Sequence, residues 1–211
     1  YASDLVGEAD SITRIKAGLL TNWKFDRSRF RIPEKTFAAA DLTHWLALEL
    51  AAEAIAGMGG PERLNRAQTA VVVANTMAGE FSRAALLRLR LPFLEEILEQ
   101  AVDADGLSAK VAAGLRQRFA ASLRSRFSEP NEDSLAGGLA NTIAGRIANH
   151  FDLKGGAYSV DGACASSLVA IADAANLLVA GQVDAVVVCG DLLGGLARGG
   201  LRAEVERDEL Q

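Results

Sequence analysis

Cys164 is the side chain in this sequence that is best placed to do covalent chemistry. It lies in the run DGACAS at residues 161–166, between a β-prone stretch and a helical pattern. A thiol on the first turn of a helix faces unpaired N–H groups and the positive end of the helix dipole, and both favour the nucleophilic thiolate. The small neighbours allow a substrate carbonyl to come close to the sulfur. The alternative is a buried structural cysteine, which is the commoner fate of a lone Cys in an apolar segment.

The residues around Cys164 predict one unit of an α/β sheet. Tyr158–Val160 is β-prone, and Gly181 stands where the helix after Cys164 would end. Ala185–Cys189 is a short apolar run, typical of a strand that is buried on both faces. A strand, a turn, a helix and a strand within about 35 residues form one repeat of an α/β fold. The apolar positions at helical spacing are Leu168, Ile171, Ala172, Ala175 and Val179.

The rest of the chain predicts four helical segments and one more buried strand. The helical segments are Thr36–Met58, Ala84–Val102 with an interruption at Pro92, Leu107–Phe127 and Leu135–His150, and the strand is Ala70–Ala74. Gly137, Gly138 and Gly145 are unusual inside a helical segment, and they suggest that another backbone approaches closely. After Asp191 the pattern stops, and Leu201–Gln211 is a charged stretch that we expect to be a frayed helix.

Composition excludes several classes of protein. The 211 residues are half hydrophobic, which is one domain's worth of chain with a sizeable core. The net charge of −5 comes without any basic block, which argues against a nucleic-acid partner. No apolar run approaches the ~18 residues of a membrane span and no signal peptide is recognisable, so we expect a cytoplasmic protein. Two cysteines do not make a disulfide framework, and Cys189 is expected to be inert core.

Other charged and titratable residues are weaker candidates than Cys164. His44 lies in a predicted helix with no acidic residue in register, and His150 ends another, so a structural role is the more frequent explanation for both. The helix Leu107–Phe127 has a basic side that could meet an acidic protein, although a solvated face is again more frequent. The arginines of that side are Arg116, Arg118, Arg124 and Arg126.

Several ordered blocks resemble the β-ketoacyl synthases, the condensing enzymes of fatty acid and polyketide assembly. The run VDGACASS at 160–167 resembles their active-site signature, and the runs at 139–147 and 151–156 resemble the helix and loop before it. Gly162 stands where most modular synthases carry Thr, which points to the iterative type I group that includes the enediyne and polyunsaturated fatty acid synthases. The blocks most similar to that group are those at 23–26, 41–48 and 75–83.

The resemblance covers roughly residues 15–191 and implies a thiolase-like fold. In that fold two related halves stack as a five-layer α/β/α/β/α sandwich. Residues 1–191 would be the N-terminal part, which is most of the first half without its opening strand. Residues 192–211 have no counterpart in the family and would be a divergent or fragment-end tail. Because the chain begins with Tyr1 rather than Met, we expect it to be cut from a longer protein.

The resemblance also implies a reaction in two stages. Cys164 would take an acyl group from the phosphopantetheine thioester of an acyl carrier protein. A malonyl thioester on a carrier protein would then lose CO₂, and its enolate would attack the acyl-cysteine to give a β-ketoacyl product. The family's catalytic His pair and Lys belong to the second half, and neither His44 nor His150 matches them. No tightly bound cofactor or metal is implied.

Two partners and three alternatives complete the expectations. The implied partners are the acyl carrier protein and a second copy of the chain, paired through the strand Ala157–Val160. One alternative is a non-catalytic subunit like the chain-length factors, which typically lack the cysteine that is present here at Cys164. The others are a cysteine-dependent hydrolase and a thiolase relative, whose signatures the residues around Cys164 resemble less well.

Overall fold

The computed structural model describes residues 23–76, 79, 81, 87–104, 106–125 and 129–190. The helices and strands below lie in one compact unit, Phe25–Ala197. The helices are α1 (Arg27–Phe30), α2 (Glu34–Ala38), α3 (Leu42–Gly57), α4 (Leu91–Ala104), α5 (Ala109–Arg124), α6 (Ser134–Gly137), α7 (Asn141–Phe151) and α8 (Ser166–Val179). The strands are β1 (Thr69–Ala74), β2 (Ala157–Val160) and β3 (Ala185–Gly190). Single 3₁₀ turns occupy Pro61–Arg63, Arg66–Gln68 and Ala163–Ala165.

β1 is the central strand of a parallel sheet with the order β2-β1-β3. Val71 of β1 stands opposite Ala157 on one side and Val187 on the other. Every residue of β1 is buried, which explains why the strand is a continuous apolar run after Thr69 instead of an alternating one. The predicted strand Ala70–Ala74 is confirmed.

Helices cover both faces of this sheet. On one face Ala170 of α8 packs with Val72 and Ala74 of β1. On the other face α7 buries Ile143 and Ile147, and the Cys189 thiol of β3 lies 3.8 Å from a backbone carbonyl of α3. The α/β unit predicted around Cys164 is therefore confirmed, with β2, α8 and β3 as its strand, helix and strand.

Two segments that the sequence predicts as single helices are each divided in the structure, so the prediction that they are continuous is wrong. Thr36–Met58 is divided into α2 and α3, and Leu135–His150 is divided into α6 and α7. The two breaks meet, because the Asp41 N–H donates a hydrogen bond of 3.1 Å to the Gly137 carbonyl. A Cβ on Gly137 would collide with the backbone of Ala39 and Ala40. The chain therefore leaves helical geometry twice so that two backbone segments can touch.

Gly137 and Gly145 differ in this respect. The close approach predicted at Gly137 is confirmed, whereas a Cβ on Gly145 would meet nothing within 4 Å, so the prediction for Gly145 is wrong.

β3 and α8 are less buried than the sequence indicated. Only Val187 and Cys189 of β3 are buried, and the other face of this strand is half-buried, so the prediction of burial on both faces is wrong. The apolar residues that predict α8 include side chains that lie largely in solvent, at 72% exposure for Leu168 and 89% for Val179.

In the helical hairpin of α4 and α5, arginines of α5 form ion pairs with acidic side chains of α4. The Arg116 guanidinium lies 3.1 Å from Glu99 and 3.5 Å from Asp103, and Arg124 lies 3.6 Å from Glu95. Such exposed pairs stabilise a fold little, but they match the basic side of α5 with acidic side chains of α4. This finding favours the solvated face over a docking face for an acidic protein.

Several sequence predictions fall on residues that the structure does not describe. These are the tail at 192–211, Arg126, residues 1–22 and much of the segment 75–83. Among the described residues, no helix combines the length and the apolar character that crossing a membrane requires.

The glycine contacts give a paired test. Gly137→Ala should lower the free energy of unfolding by about 1–3 kcal/mol, because the methyl group would displace the backbone at Ala39. Gly145→Ala should raise it by about 0.5–1 kcal/mol, since alanine favours helix and the added Cβ meets nothing. Urea unfolding of both variants measures this, and equal effects would contradict the assigned contact.

Candidate active site

Cys164 lies at the carboxyl end of β2, in the 3₁₀ turn Ala163–Ala165 that leads into α8. Its side chain is exposed, whereas Cys189 in β3 is only 5% exposed. Sites in open α/β sheets form at the carboxyl ends of the strands, which is where this turn stands. Cys164 is thus accessible, and the alternative of a buried structural cysteine does not fit it.

The Ser166 side chain holds the turn closed. Its Oγ accepts a hydrogen bond of 2.9 Å from the Gly162 N–H and donates one of 2.6 Å to the Ala163 carbonyl. The Ser166 residue is 2% exposed, and both of its bonds are partly buried. The Asp161 carboxylate adds a bond of 2.9 Å from the Ala163 N–H. The side chains of Asp161 and Ser166 therefore bind the N–H and the C=O of Ala163, the residue before Cys164.

Ala163 has a left-handed backbone conformation, with φ at 49°. A non-glycine residue in this region costs about 1–2 kcal/mol. The bonds from Asp161 and Ser166 act on Ala163 itself, so they oppose this cost. The strained residue lets the chain reverse between β2 and α8 and leaves the Cys164 side chain at the surface.

The backbone amides of the turn are almost all committed. The N–H groups of Gly162 and Ala163 bind Ser166 and Asp161, and that of Ala165 donates to the Gly162 carbonyl at 3.0 Å. The Ser166 N–H donates to the Ala163 carbonyl. Within the described part of the chain, the Cys164 N–H has no acceptor. The uncommitted donor of the turn therefore belongs to the same residue as the thiol.

This geometry corrects one expectation about Cys164. The sequence placed the thiol on the first turn of the helix, but α8 begins at Ser166 and Cys164 lies in the short turn before it.

The ends of β1 and β3 adjoin the same turn. Asn75, which directly follows β1, is 3% exposed, and its N–H donates a bond of 3.1 Å to the Val160 carbonyl at the end of β2. A Cβ on Gly190, at the end of β3, would lie 2.6 Å from the Ser167 Oγ. Sequence reasoning did not single out Asn75 or Ser166. A polar residue directly after a buried strand was the available signal for Asn75.

His44 is fully buried on α3. Burial first, and the nearby Arg146 second, lower its pKa from 6.5 to about 3, so the imidazole is neutral. A hydrogen bond with the Gly137 backbone acts in the opposite direction and raises this pKa, and the Trp45 ring lies 6.1 Å away between centroids. The buried, neutral imidazole fits the structural role that the sequence predicts for His44.

His150 ends α7, at the edge of the sheet opposite Cys164. Its ring centroid lies 5.3 Å from that of Phe30 and 4.7 Å from that of Phe151. Partial burial lowers the pKa of His150, and the charges of Arg31 and Arg29 lower it further. The structure therefore does not bring His150 beside the thiol.

Comparisons with known proteins indicate the family of this chain. The family model of the beta-ketoacyl synthase N-terminal domain matches residues 3–193. Fumosorinone synthetase of Cordyceps fumosorosea is 46% identical over 54 residues, which are 26% of this chain and 1% of that protein. The spectinabilin polyketide synthase system protein NorC of Streptomyces orinoci is 54% identical over 46 residues, 22% of this chain and 2% of that protein.

A solved structure is similar to most of the chain. The ketosynthase from module 6 of the bacillaene synthase of Bacillus subtilis 168 matches with a TM-score of 0.50 at 21% identity, over 87% of this chain and 24% of that one. The fold is thus part of a thiolase-like α/β fold, as predicted. Within that class, the chain belongs to the beta-ketoacyl synthase N-terminal domain family. It spans 1–2% of the length of the curated relatives named above.

The role of Ser166 can be tested against its neighbour. Ser166→Ala should lower the free energy of unfolding by about 1–3 kcal/mol, because it removes the partner of a backbone donor and of a backbone acceptor. Ser167→Ala removes a hydroxyl that has no hydrogen bond among the described residues, and it should change the free energy of unfolding by less than about 0.5 kcal/mol. Urea unfolding compares them, and similar losses would argue against the closed turn.

The buried His44 predicts acid sensitivity. Its folded-state pKa lies below the unfolded value, so the unfolded chain binds the extra proton and stability falls as pH drops from about 6.5 toward 3. The slope from this group alone is at most about 1.4 kcal/mol per pH unit. His44→Leu should remove that part of the loss, measured by urea unfolding at several pH values, and His150→Gln should keep most of it. An unchanged pH profile in His44→Leu would be evidence against the neutral buried imidazole.

Proposed function

We propose that this chain is the cysteine-bearing part of a β-ketoacyl synthase that acts in polyketide or fatty acid assembly. The Cys164 thiolate attacks the carbonyl carbon of an acyl thioester carried by phosphopantetheine on an acyl carrier protein. A sulfur–carbon bond forms as the carbon–sulfur bond of the thioester breaks, and an acyl-cysteine remains. The phosphopantetheine sulfur leaves as a thiolate, which takes up the proton that the Cys164 thiol lost. The observation that supports this best is the exposed thiol in the rigid turn after β2.

The Cys164 amide is suited to stabilise the attack. Negative charge develops on the carbonyl oxygen in the transition state, and the loss of one donor to such an oxygen costs about 2.7–4 kcal/mol in a related case. The uncommitted N–H of Cys164 lies on the nucleophile itself. Because the other amides at 162–166 are engaged, a second donor has to come from outside the turn.

The condensation step needs groups that the described site does not supply. Decarboxylation of the malonyl thioester needs donors that hold the enolate, and the family resemblance places a His pair and a Lys for this role in a second half of the fold. His44 is buried and neutral, and His150 lies at the opposite edge of the sheet. We therefore expect this 211-residue chain to load an acyl group slowly and to form no β-ketoacyl product.

The complete protein is proposed to be a homodimer paired through β2. Among the described residues β2 is an edge strand, and unpaired edges are templates for pairing with another chain. A monomer in light scattering at micromolar concentration would contradict this pairing. The iterative subgroup and the cytoplasmic location belong to the same proposal, and both rest on the sequence.

Acyl loading tests the proposal directly. The chain is incubated with a hexanoyl thioester of N-acetylcysteamine, and intact-mass and peptide mass spectrometry locate the added acyl group. We expect the group on the peptide that contains Cys164, no loading of Cys164→Ala, and full loading of the matched variant Cys189→Ala. A parallel assay with malonyl carrier protein should detect no CO₂ above background.

Two outcomes would overturn parts of this proposal. Loading that persists in Cys164→Ala would remove Cys164 as the nucleophile and favour the non-catalytic partner subunit. Formation of β-ketoacyl product by the chain alone would show that the groups for condensation lie within these 211 residues.

A further inference from the structure

A second concave site lies at the edge of the sheet opposite Cys164. A cavity of about 220 Å³ opens between α1, α3 and α7 and reaches the loop at Gly60 and Pro61. The ends of α3 and α7 that line it lead into the amino ends of β1 and β2, whereas Cys164 follows the carboxyl end of β2. The cavity is thus separate from the proposed acyl-transfer site.

The cavity has an apolar floor and a cationic rim. Its floor is formed by Phe30, Ala52 and Ile55, all of which are buried. Its rim carries the exposed side chains of Arg29 and His150. The Arg29 guanidinium carbon lies 5.1 Å from the Phe30 ring centroid, and the His150 ring lies 5.3 Å from it on centroids. The side chains of Arg29 and His150 therefore both pack against the ring of Phe30.

The charges at the rim are not balanced by the acids beside it. Among the described residues, no carboxylate forms an ion pair with the Arg29 guanidinium, and the Asp26 carboxylate accepts a hydrogen bond from the Arg29 backbone N–H. Glu62 stands beside the lining, where its Oε2 lies 2.8 Å from the position of a Cβ on Gly60. The neighbouring Arg31 adds positive charge, and it lowers the pKa of His150 together with Arg29 after the effect of burial. An anion at the rim would relieve this repulsion.

We propose that this cavity binds a small carboxylate with a compact apolar body. The carboxylate lies against the Arg29 guanidinium, whose planar fork of donors matches a carboxylate, and against the His150 ring. The apolar body covers Phe30 and Ile55. A volume of about 220 Å³ is below the ~300 Å³ at which drug-sized pockets begin, so the ligand is compact. The proposal does not depend on the proposed condensation.

Binding carries its own signature at His150. A negative charge beside the imidazole favours its protonated form, so the bound anion raises the pKa of His150 that Arg29 and Arg31 lower. A site that recognises only the apolar body leaves this pKa unchanged.

Phenylacetate is the probe for the experiment. It is titrated into the 211-residue chain up to about 10 mM, which saturates a site with a Kd near 1 mM, while calorimetry and the NMR signals of the His150 ring are followed. We expect saturable binding and an upward shift of the His150 pKa. Acetate, which lacks the apolar body, and phenylacetamide, which lacks the charge, should each bind at least about tenfold more weakly, a difference of 1.4 kcal/mol.

Two matched pairs of variants locate the site. Arg29→Gln should weaken phenylacetate binding at least about fivefold. Arg27→Gln is its control, since Arg27 is on the same helix as Arg29 but its side chain lies over the Phe37 ring of α2 and does not line the cavity. Ala56→Phe fills the cavity from an exposed position of α3 and should abolish binding, whereas Ala54→Phe, exposed on the same helix but not in the lining, should retain it.

Several results would overturn this inference. They are the absence of saturable binding, equal binding of phenylacetamide or acetate, and equal effects of the Arg29→Gln and Arg27→Gln variants. Binding that survives Ala56→Phe would place phenylacetate elsewhere and would equally overturn it. Circular dichroism of each variant confirms that the fold is unchanged.

Discussion

The pairing of β1 with a parallel strand on each side is the constraint on which the rest of this structure depends. β1 is buried along its whole length, so its backbone N–H and C=O groups need partners within the protein, and β2, β3 and the residues just before β2 supply them. Since Val71 stands opposite both Ala157 and Val187, the carboxyl ends of all three strands lie at one edge. The chain that leaves β2 at this edge carries Cys164. A slip of one residue in β2 would exchange its two faces and move the cysteine turn with them.

The α/β unit and the candidate nucleophile were predictable because their signals are local. An apolar run, a turn of small residues and a helical repeat lie in sequence around Cys164, and each is decided by its own neighbours. The breaks between α2 and α3 and between α6 and α7 were not predictable in this way. They depend on a contact between Asp41 and Gly137, which are far apart in the chain. Gly145 is also a glycine in a helical segment but makes no such contact, so the presence of a glycine alone does not predict a break in the helix.

The site itself was predicted only as far as the reactive atom. The sequence pattern singled out Cys164 as the candidate nucleophile. The residue that closes its turn is Ser166, whose side chain has the sequence pattern of an ordinary polar residue at a helix start. Its role follows from the positive φ of Ala163, which only a structure reveals. The basic side of α5 shows the same limit. The sequence of α5 shows that Arg116 is on its basic side, but it does not show that Arg116 pairs with Glu99, which lies on α4.

The two sides of α8 explain why so much of this apolar helix is exposed. The side toward the sheet is made of small residues, Ser166, Ala170 and Ala174, which let the helix lie close to β1. The outer side carries large apolar residues, such as Leu168 and Val179, and each would contribute about 1.5–3 kcal/mol if it were fully buried. Soluble proteins rarely leave such a face uncovered, and this asymmetry fits a helix that lies between two layers, as in a five-layer sandwich. Because α8 begins at the cysteine turn, a layer that packed on its outer side would also stabilise the position of the thiol.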